Sequence, residues 1–232
     1  MQLQKLEDEF KDYRLIIGVD RIDYTKGLTE KLKAFDHFLS TRPEYKSKVV
    51  LLQIGVPSRE SLSEIKNLLE KIYSLVGEIN SRHGKQRHHP FHRKETTPNK
   101  TTPTGSIHYT PIRFLHQSID KIQLAALYSA SDMCLVTAIR DGMNLVSYEY
   151  VACQQKRNGV LLLGKRIGAA NTLKGAVLIE PLDAEDVAEN IQRALEMPAS
   201  ERRSRQETSI KTVMTQTSAW WGNEFVRKLR EV

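Results

Sequence analysis

Cysteine is nearly absent from this chain: Cys134 and Cys153 are the only two in 232 residues. So few rule out a disulfide scaffold or a thiolate metal centre. Cys134 lies in a strand-like run and Cys153 in a helix-like one, so both are expected as small buried residues in a reduced, cytoplasmic setting. No apolar run approaches the roughly 20 residues of a membrane span. The opening stretch MQLQKLEDEFKDY has no apolar signal-peptide core, so no membrane partner is expected. The usual glycine-rich phosphate loops are missing too. There is no G-x-x-x-x-G-K-[ST], and GKRIGAA is not a G-x-G-x-x-G turn in a first βα unit, which disfavours ATP and NAD.

What is present in excess is positive charge, +7 overall. Residues 81–105 hold six Lys or Arg and one acid, so that stretch carries +5 and the rest of the chain only +2. A charge confined to one loop, with Phe91 as its single aromatic, is not the footprint of a nucleic-acid-binding face. The segment 84–105 has no helical or strand period and reads as a flexible insertion. His83, His88, His89 and His92 could hold a metal there, but no Cys or carboxylate cluster accompanies them. No metal or other cofactor is expected.

Elsewhere, apolar strings alternate with helical patterns. Strands are expected at 14–19, 48–54, 106–110, 132–136, 159–164 and 175–180. Helices are expected at 27–41, 60–82, 120–130, 144–156, 183–197 and 199–230. Unalternating strands separated by helices specify a doubly wound parallel sheet, an α/β Rossmann-like domain spanning 1–232. Ligands of such sheets bind beyond the C-terminal strand ends.

Three strand-end loops stand out. DRIDYTKG (20–27) offers the planar donor fork of Arg21 and the point charge of Lys26, a combination suited to a diphosphate. It also fits a plain turn in which Asp23 neutralises both cations. VPSRE (56–60) places Arg59 at a helix N-terminus with Ser58 as a possible N-cap. A cation there opposes the helix dipole, so it fits either an anion partner or a solvated surface position. RDGMNLVSYEY (140–150) opens a helix with Asp141 and Gly142. The N–H groups of Gly142, Met143, Asn144 and Leu145 are free to meet an anion. Glu149 follows eight residues later, about 10–12 Å away along a helix. That exceeds the roughly 5–9.5 Å of a glycosidase carboxylate pair. The alternative is an N-cap Asp with a surface Glu. Taken together, the three loops suit a ligand with a central diphosphate and polyols at both ends, which describes a nucleotide sugar.

The blocks VDRIDYTKG, VPSR, VGEINSRHG, SASDMCLVTAIRDGMNLVSYEYVACQ, GAANTLKGAVLIEPLD and WWGNEFVRKL resemble the trehalose-6-phosphate synthase family of retaining GT-B glycosyltransferases. The resemblance runs in order from about residue 14 to the end, and ACQ and AWWGNEFV resemble fungal members. It implies the C-terminal, donor-binding half of such an enzyme, with the N-terminal acceptor domain absent. It further implies UDP-glucose as donor and glucose 6-phosphate as acceptor, bound jointly with the missing domain. Arg21 and Lys26 would hold the UDP diphosphate and Asp141 the glucose hydroxyls. The backbone of Gly142, Met143, Asn144 and Leu145 would meet sugar and phosphate, and Glu149 the ribose. Ile54, Ile119 and Leu124 would line the uracil site, and Arg59 would reach the acceptor phosphate. No metal and no protein nucleophile is implied. The insertion after INSRHG, and GKRIGAAN where the family usually has a Ser-Glu-Phe type run, suggest a paralogue. The second expectation is therefore a non-catalytic regulatory subunit of a trehalose synthase complex.

Overall fold

The computed structural model describes residues 2–58, 61–84 and 109–231. Its strands are β1 (Arg14–Arg21), β2 (Val49–Val56), β3 (Ile112–His116), β4 (Met133–Val136), β5 (Val160–Gly164) and β6 (Val177–Ile179). Its helices are α1 (Gln2–Glu9), α2 (Leu28–Thr41), α3 (Ser63–His83), α4 (Lys121–Ala130), α5 (Leu145–Cys153), α6 (Ala184–Glu196), α7 (Ala199–Thr215) and α8 (Ser218–Leu229). The strands form one sheet in the order β3-β2-β1-β4-β5-β6. All its pairings are parallel, as the sequence leads one to expect.

Successive strand residues face opposite sides, which splits the core in two. Ile16, Leu51, Met133, Leu135 and Leu162 pack with Leu32 and Phe35 of α2, Ile72 of α3 and Ile191 of α6. Leu15, Ile17, Val50, Leu52, Cys134 and Leu163 pack with Leu127 of α4 and Tyr150 and Val151 of α5. Burial on both faces is why VVLLQI shows no alternation. Each fully buried aliphatic side chain contributes about 1.5–3 kcal/mol.

The chain steps outward from β1 to β2 and β3, then returns to the other flank of β1 with β4. Ile16 and Ile17 pair with Met133 and Cys134 across that reversal. The C-terminal ends of β1 and β4 thus form the crevice at which open α/β sheets take ligands.

Several expectations need correction. The third described strand is β3; of the expected 106–110, Tyr109 and Thr110 are not in a strand and 106–108 lie outside the described residues. β3 is an edge strand, so it tolerates the polar Arg113 and His116 that hid it; Arg113 lies over the Phe10 ring. α3 starts at Ser63 with Leu62 before it, so Ser58 is not its cap. The C-terminal helix is two helices, because Gln216 leaves helical geometry and Thr217 caps α8 by accepting from the Trp220 N–H. α8 has no buried residue, and its Trp221 stacks on Phe225. α1 is a helix that no periodicity announced. Cys134 is buried as expected, but Cys153 is only half-buried. Among the described residues, no helix is long and apolar enough to cross a membrane.

Candidate functional site

β1 ends at Arg21, and the chain enters a 3-10 turn over Tyr24–Lys26 before α2. Asp23 caps that turn, accepting from the Thr25 N–H at 2.8 Å and the Thr25 hydroxyl at 2.7 Å. Those two bonds hold its carboxyl below the ordinary value, and the charges of Arg21 and Lys26 add to them. Gly27 then takes φ 61° to start the helix. A Cβ there would lie 2.2 Å from the Thr137 carbonyl oxygen, so close approach as well as backbone sign requires glycine.

The β4 loop is fastened to this turn. The Ile139 N–H donates to Thr25 O at 2.9 Å, and the Thr137 hydroxyl donates to Gly27 O at 3.0 Å. The fastening delivers Asp141 to Lys26: Nζ donates to Oδ2 at 2.7 Å, with side chains only 12% and 21% exposed. Asp23 therefore does not neutralise both cations. Burial pushes the Asp141 carboxyl up, but the hydrogen bonds from Lys26 and Asn144, the Lys26 charge and the Gly142 N–H outweigh it and hold the group below its ordinary value. Arg21 is exposed and has no salt bridge among the described residues.

Asn144, not Asp141, caps α5. Its Oδ1 accepts from the Ser147 N–H at 3.0 Å, while its Nδ2 donates to Asp141 Oδ2 at 3.0 Å. One buried amide thus starts the helix and orients the carboxylate. Among the described residues, the N–H groups of Gly142, Met143, Asn144 and Leu145 enter no backbone–backbone hydrogen bond outside regular elements. The Gly142 N–H is spent on the Asp141 carboxylate; those of Met143, Asn144 and Leu145 remain as donors at the N-terminal end of α5.

A cavity of about 300 Å³ lies between these loops. It is lined by Arg21, Lys26, Asp141, Met143, Asn144 and Leu145, and also by Val19, Asp20, Val56 and Val146. Of the last four, Asp20, Val56 and Val146 lie in the three strand-end loops but were not singled out as site residues, and Val19 just precedes the first loop. Aligning the two strands would have found Val56, which sits opposite Arg21 in the register. Met143 and Leu145 are exposed apolar side chains at the cavity rim. A larger hollow of about 560 Å³ lies at the far end of the sheet, around Glu7, Cys153 and Arg157. Arg157 is committed there to Glu7 and Asp132, so we place the site at the strand ends.

The structure does not gather every expected residue into that cavity. Ile54 is buried in the core beside β1, with Ile119 and Leu124 partly buried against the same cluster. Gly142 is exposed, and a Cβ on it would meet nothing within 4 Å. Glu149 is exposed on α5, where the Tyr128 hydroxyl reaches its Oε2 at 3.4 Å. Arg59 and residues 85–105 lie outside the described residues, as do His88, His89 and His92. His83 is buried in α3, 2.8 Å from Asp36 Oδ1. Among the described residues, no group of three or more His, Cys, Asp or Glu could hold a metal ion.

The sequence profile of glycosyltransferase family 20 matches residues 1–101 and 99–231. The alpha,alpha-trehalose-phosphate synthase (UDP-forming) of Botryotinia fuckeliana is 42% identical over 231 residues, which is 100% of this chain and 40% of that protein. The Candida albicans synthase is 41% identical over 228 residues, 98% of this chain and 43% of its own length. An E. coli structure described as trehalose-6-phosphate bound with UDP-2-fluoro glucose superposes with a TM-score of 0.87 at 32% identity, covering 100% of this chain and 47% of that one. The N-terminal domain of Candida albicans trehalose-6-phosphate phosphatase superposes with a TM-score of 0.85 at 29% identity, over 99% of this chain and 44% of the other. This chain belongs to glycosyltransferase family 20. It spans less than half the length of these relatives and matches the C-terminal half of the synthases.

Proposed function

We propose that this chain is the donor-binding half of a UDP-glucose-dependent trehalose-phosphate synthase, cytoplasmic, transferring glucose to glucose 6-phosphate with retention. The observation that carries this reading is the meeting of Arg21, Lys26 and Asp141 with the N–H groups ahead of α5 at the switch point of the sheet. The chemistry follows from the charges. The bond between the sugar anomeric carbon and the UDP oxygen breaks as the acceptor hydroxyl oxygen bonds that carbon. The acceptor proton passes to the departing diphosphate. Negative charge grows on the diphosphate, where Arg21, Lys26 and the N–H groups stabilise it. Asp141, ionised and aimed by Asn144, accepts hydrogen bonds from the glucose hydroxyls. Glu149 serves the ribose, Ile54, Ile119 and Leu124 the uracil side, and Arg59 the acceptor phosphate. No metal enters this scheme. A folded Arg21→Ala or Lys26→Ala variant each gives up a charge-assisted hydrogen bond worth about 1.5–3 kcal/mol. Calorimetric titration with UDP should show binding lost in both; unchanged affinity in both would sink the assignment.

The second reading is a non-catalytic regulatory subunit of a trehalose synthase complex. The likeness to a phosphatase N-terminal domain supports it, since that protein carries the same fold beside a different activity. Failure of this chain to bind either UDP or UDP-glucose at millimolar concentration would favour it.

A further inference from the structure

Beneath the cavity, inside the sheet, lie three polar side chains: Asp20, Lys31 and Gln53. Lys31 and Gln53 are fully buried and the Asp20 side chain is 2% exposed. Lys31 Nζ donates to Asp20 Oδ2 at 2.5 Å and to Gln53 Oε1 at 3.0 Å. Gln53 Nε2 donates to Asp20 Oδ2 at 3.1 Å and to Ile54 O at 2.9 Å. Gly18 makes the room, since a Cβ there would lie 2.2 Å from Gln53 Oε1 and 2.6 Å from Lys31 Nζ.

Stability does not account for this trio. Lys31 projects from the α2 face that buries Leu28, Leu32 and Phe35, where an apolar side chain would serve the packing. Exchanging a buried ion pair for apolar groups of similar volume is often neutral, or stabilising by about 1–4 kcal/mol. Its position is more telling. Asp20 immediately precedes Arg21. Lys31 sits one helical turn past Gly27, its N–H donating to Gly27 O at 2.9 Å. The ion pair therefore joins the two ends of segment 21–30 inside the sheet. Gln53 ties that bracket to β2, whose register holds Asp20 opposite Gly55 and Arg21 opposite Val56. The pair also cancels a charge. Asp20 lines the cavity, and an unpaired carboxylate there would repel a diphosphate.

We propose that Lys31, Asp20 and Gln53 are positioning residues for the anion site. They hold the Arg21–Lys26 loop in its diphosphate-receiving geometry and silence the one carboxylate beneath it. The proposal deepens, and rests on, the reading of the cavity as a nucleotide-diphosphate site.

The test is the double variant Asp20→Asn/Lys31→Met in the 232-residue chain. The new amide at position 20 can pair with Gln53 in both directions, so no polar group is stranded, yet the tether to α2 is cut. We expect the melting temperature to hold while amide exchange across 21–27 speeds up at least about tenfold and the UDP dissociation constant rises at least about tenfold. Amides in the middle of β1 and β2 should keep their protection. A merely structural role would move melting temperature and protection of the strands together with affinity. The proposal is overturned if the folded variant keeps wild-type exchange over 21–27, or binds UDP as the wild type does. If the wild type itself does not bind UDP, the nucleotide reading falls, and exchange over 21–27 alone decides the positioning role. Should the double variant not fold, Gln53→Met replaces it. That change leaves the ion pair and removes only its anchor on β2, and the same two outcomes decide.

Discussion

Asp141→Asn should tighten UDP binding while weakening the hold on the sugar, an opposition of signs that few other accounts of this residue produce. In the free chain the carboxylate holds Lys26 Nζ at 2.7 Å. An arriving diphosphate has to draw the ammonium away or share it. A charge-assisted hydrogen bond of this kind is worth about 1.5–3 kcal/mol. A doubly charged diphosphate about 6 Å from Asp141 also meets roughly 1.4 kcal/mol of repulsion at the dielectric of water. Hydration regained by the freed ammonium offsets most of the first term, and salt screens the second. The net gain expected is about 1 kcal/mol, or about fivefold tighter UDP, at low ionic strength. UDP-glucose loses a charged acceptor for its hydroxyls in the same variant, worth about 1.5–3 kcal/mol, so its affinity should fall relative to that of UDP by roughly tenfold or more. Titration calorimetry with both ligands, at about 50 mM and about 300 mM salt, reads the ratio and its screening. A folded variant that binds UDP no better than wild type would refute the reasoning, because Lys26 would then not be held in competition.

Gly27→Ala puts a Cβ 2.2 Å from Thr137 O at φ 61°, so it should cost at least about 2 kcal/mol. In a chain of this size that lowers the melting temperature by roughly 4–8 °C, and an unchanged melting curve would contradict the packing described for the two loops. The depressed carboxyls of Asp23 and Asp141 fix the sign of an acid effect. Their contribution is complete above the ordinary value of 3.8 and is lost as pH falls through their lower folded values. Urea midpoints of wild type and Asp141→Asn should therefore differ at neutral pH and converge below about pH 3.8, whereas a gap that closes near neutrality would rule out Asp141 as its source. Loss of UDP binding in Arg21→Ala and Lys26→Ala, and faster exchange over 21–27 in Asp20→Asn/Lys31→Met, complete the set.

The parallel sheet was legible because VVLLQI and GVLLLG are apolar on both faces, a pattern with few other structural meanings. β3 was not, because at the sheet edge its Arg113 turns toward Phe10 and Glu9 and breaks the apolar string. α1 escaped for a related reason: eight residues make a marginal helix, and this one depends on packing against α4 that no local pattern records. At the site, Arg21, Lys26 and Asp141 could be read from their strand-end loops. Their pairing could not. Asp23 is three residues from Lys26 and looked like its partner, yet Asp23 is spent on Thr25, and Lys26 turns to a carboxylate 115 residues away. Gln53 was invisible because it sits inside the core string VVLLQI, and Lys31 because in LTEKLKAF it reads as one more lysine on the solvated face of a helix.

The sheet order also bears on when the site comes into being. Arg21 and Lys26 belong to the first half of the sheet and Asp141 to the second, so the ion pair closes a loop of 115 residues. Bringing such distant ends together costs on the order of 4 kcal/mol of chain entropy, and contacts of this span mature late in folding. A chain in which only β1, β2 and β3 have assembled carries two cations and no cradle. A ligand that needs both loops recognises only the finished domain and shifts the folding equilibrium toward it by mass action. On the proposed reading of the cavity, nucleotide affinity would thereby also gauge whether the two halves have found each other.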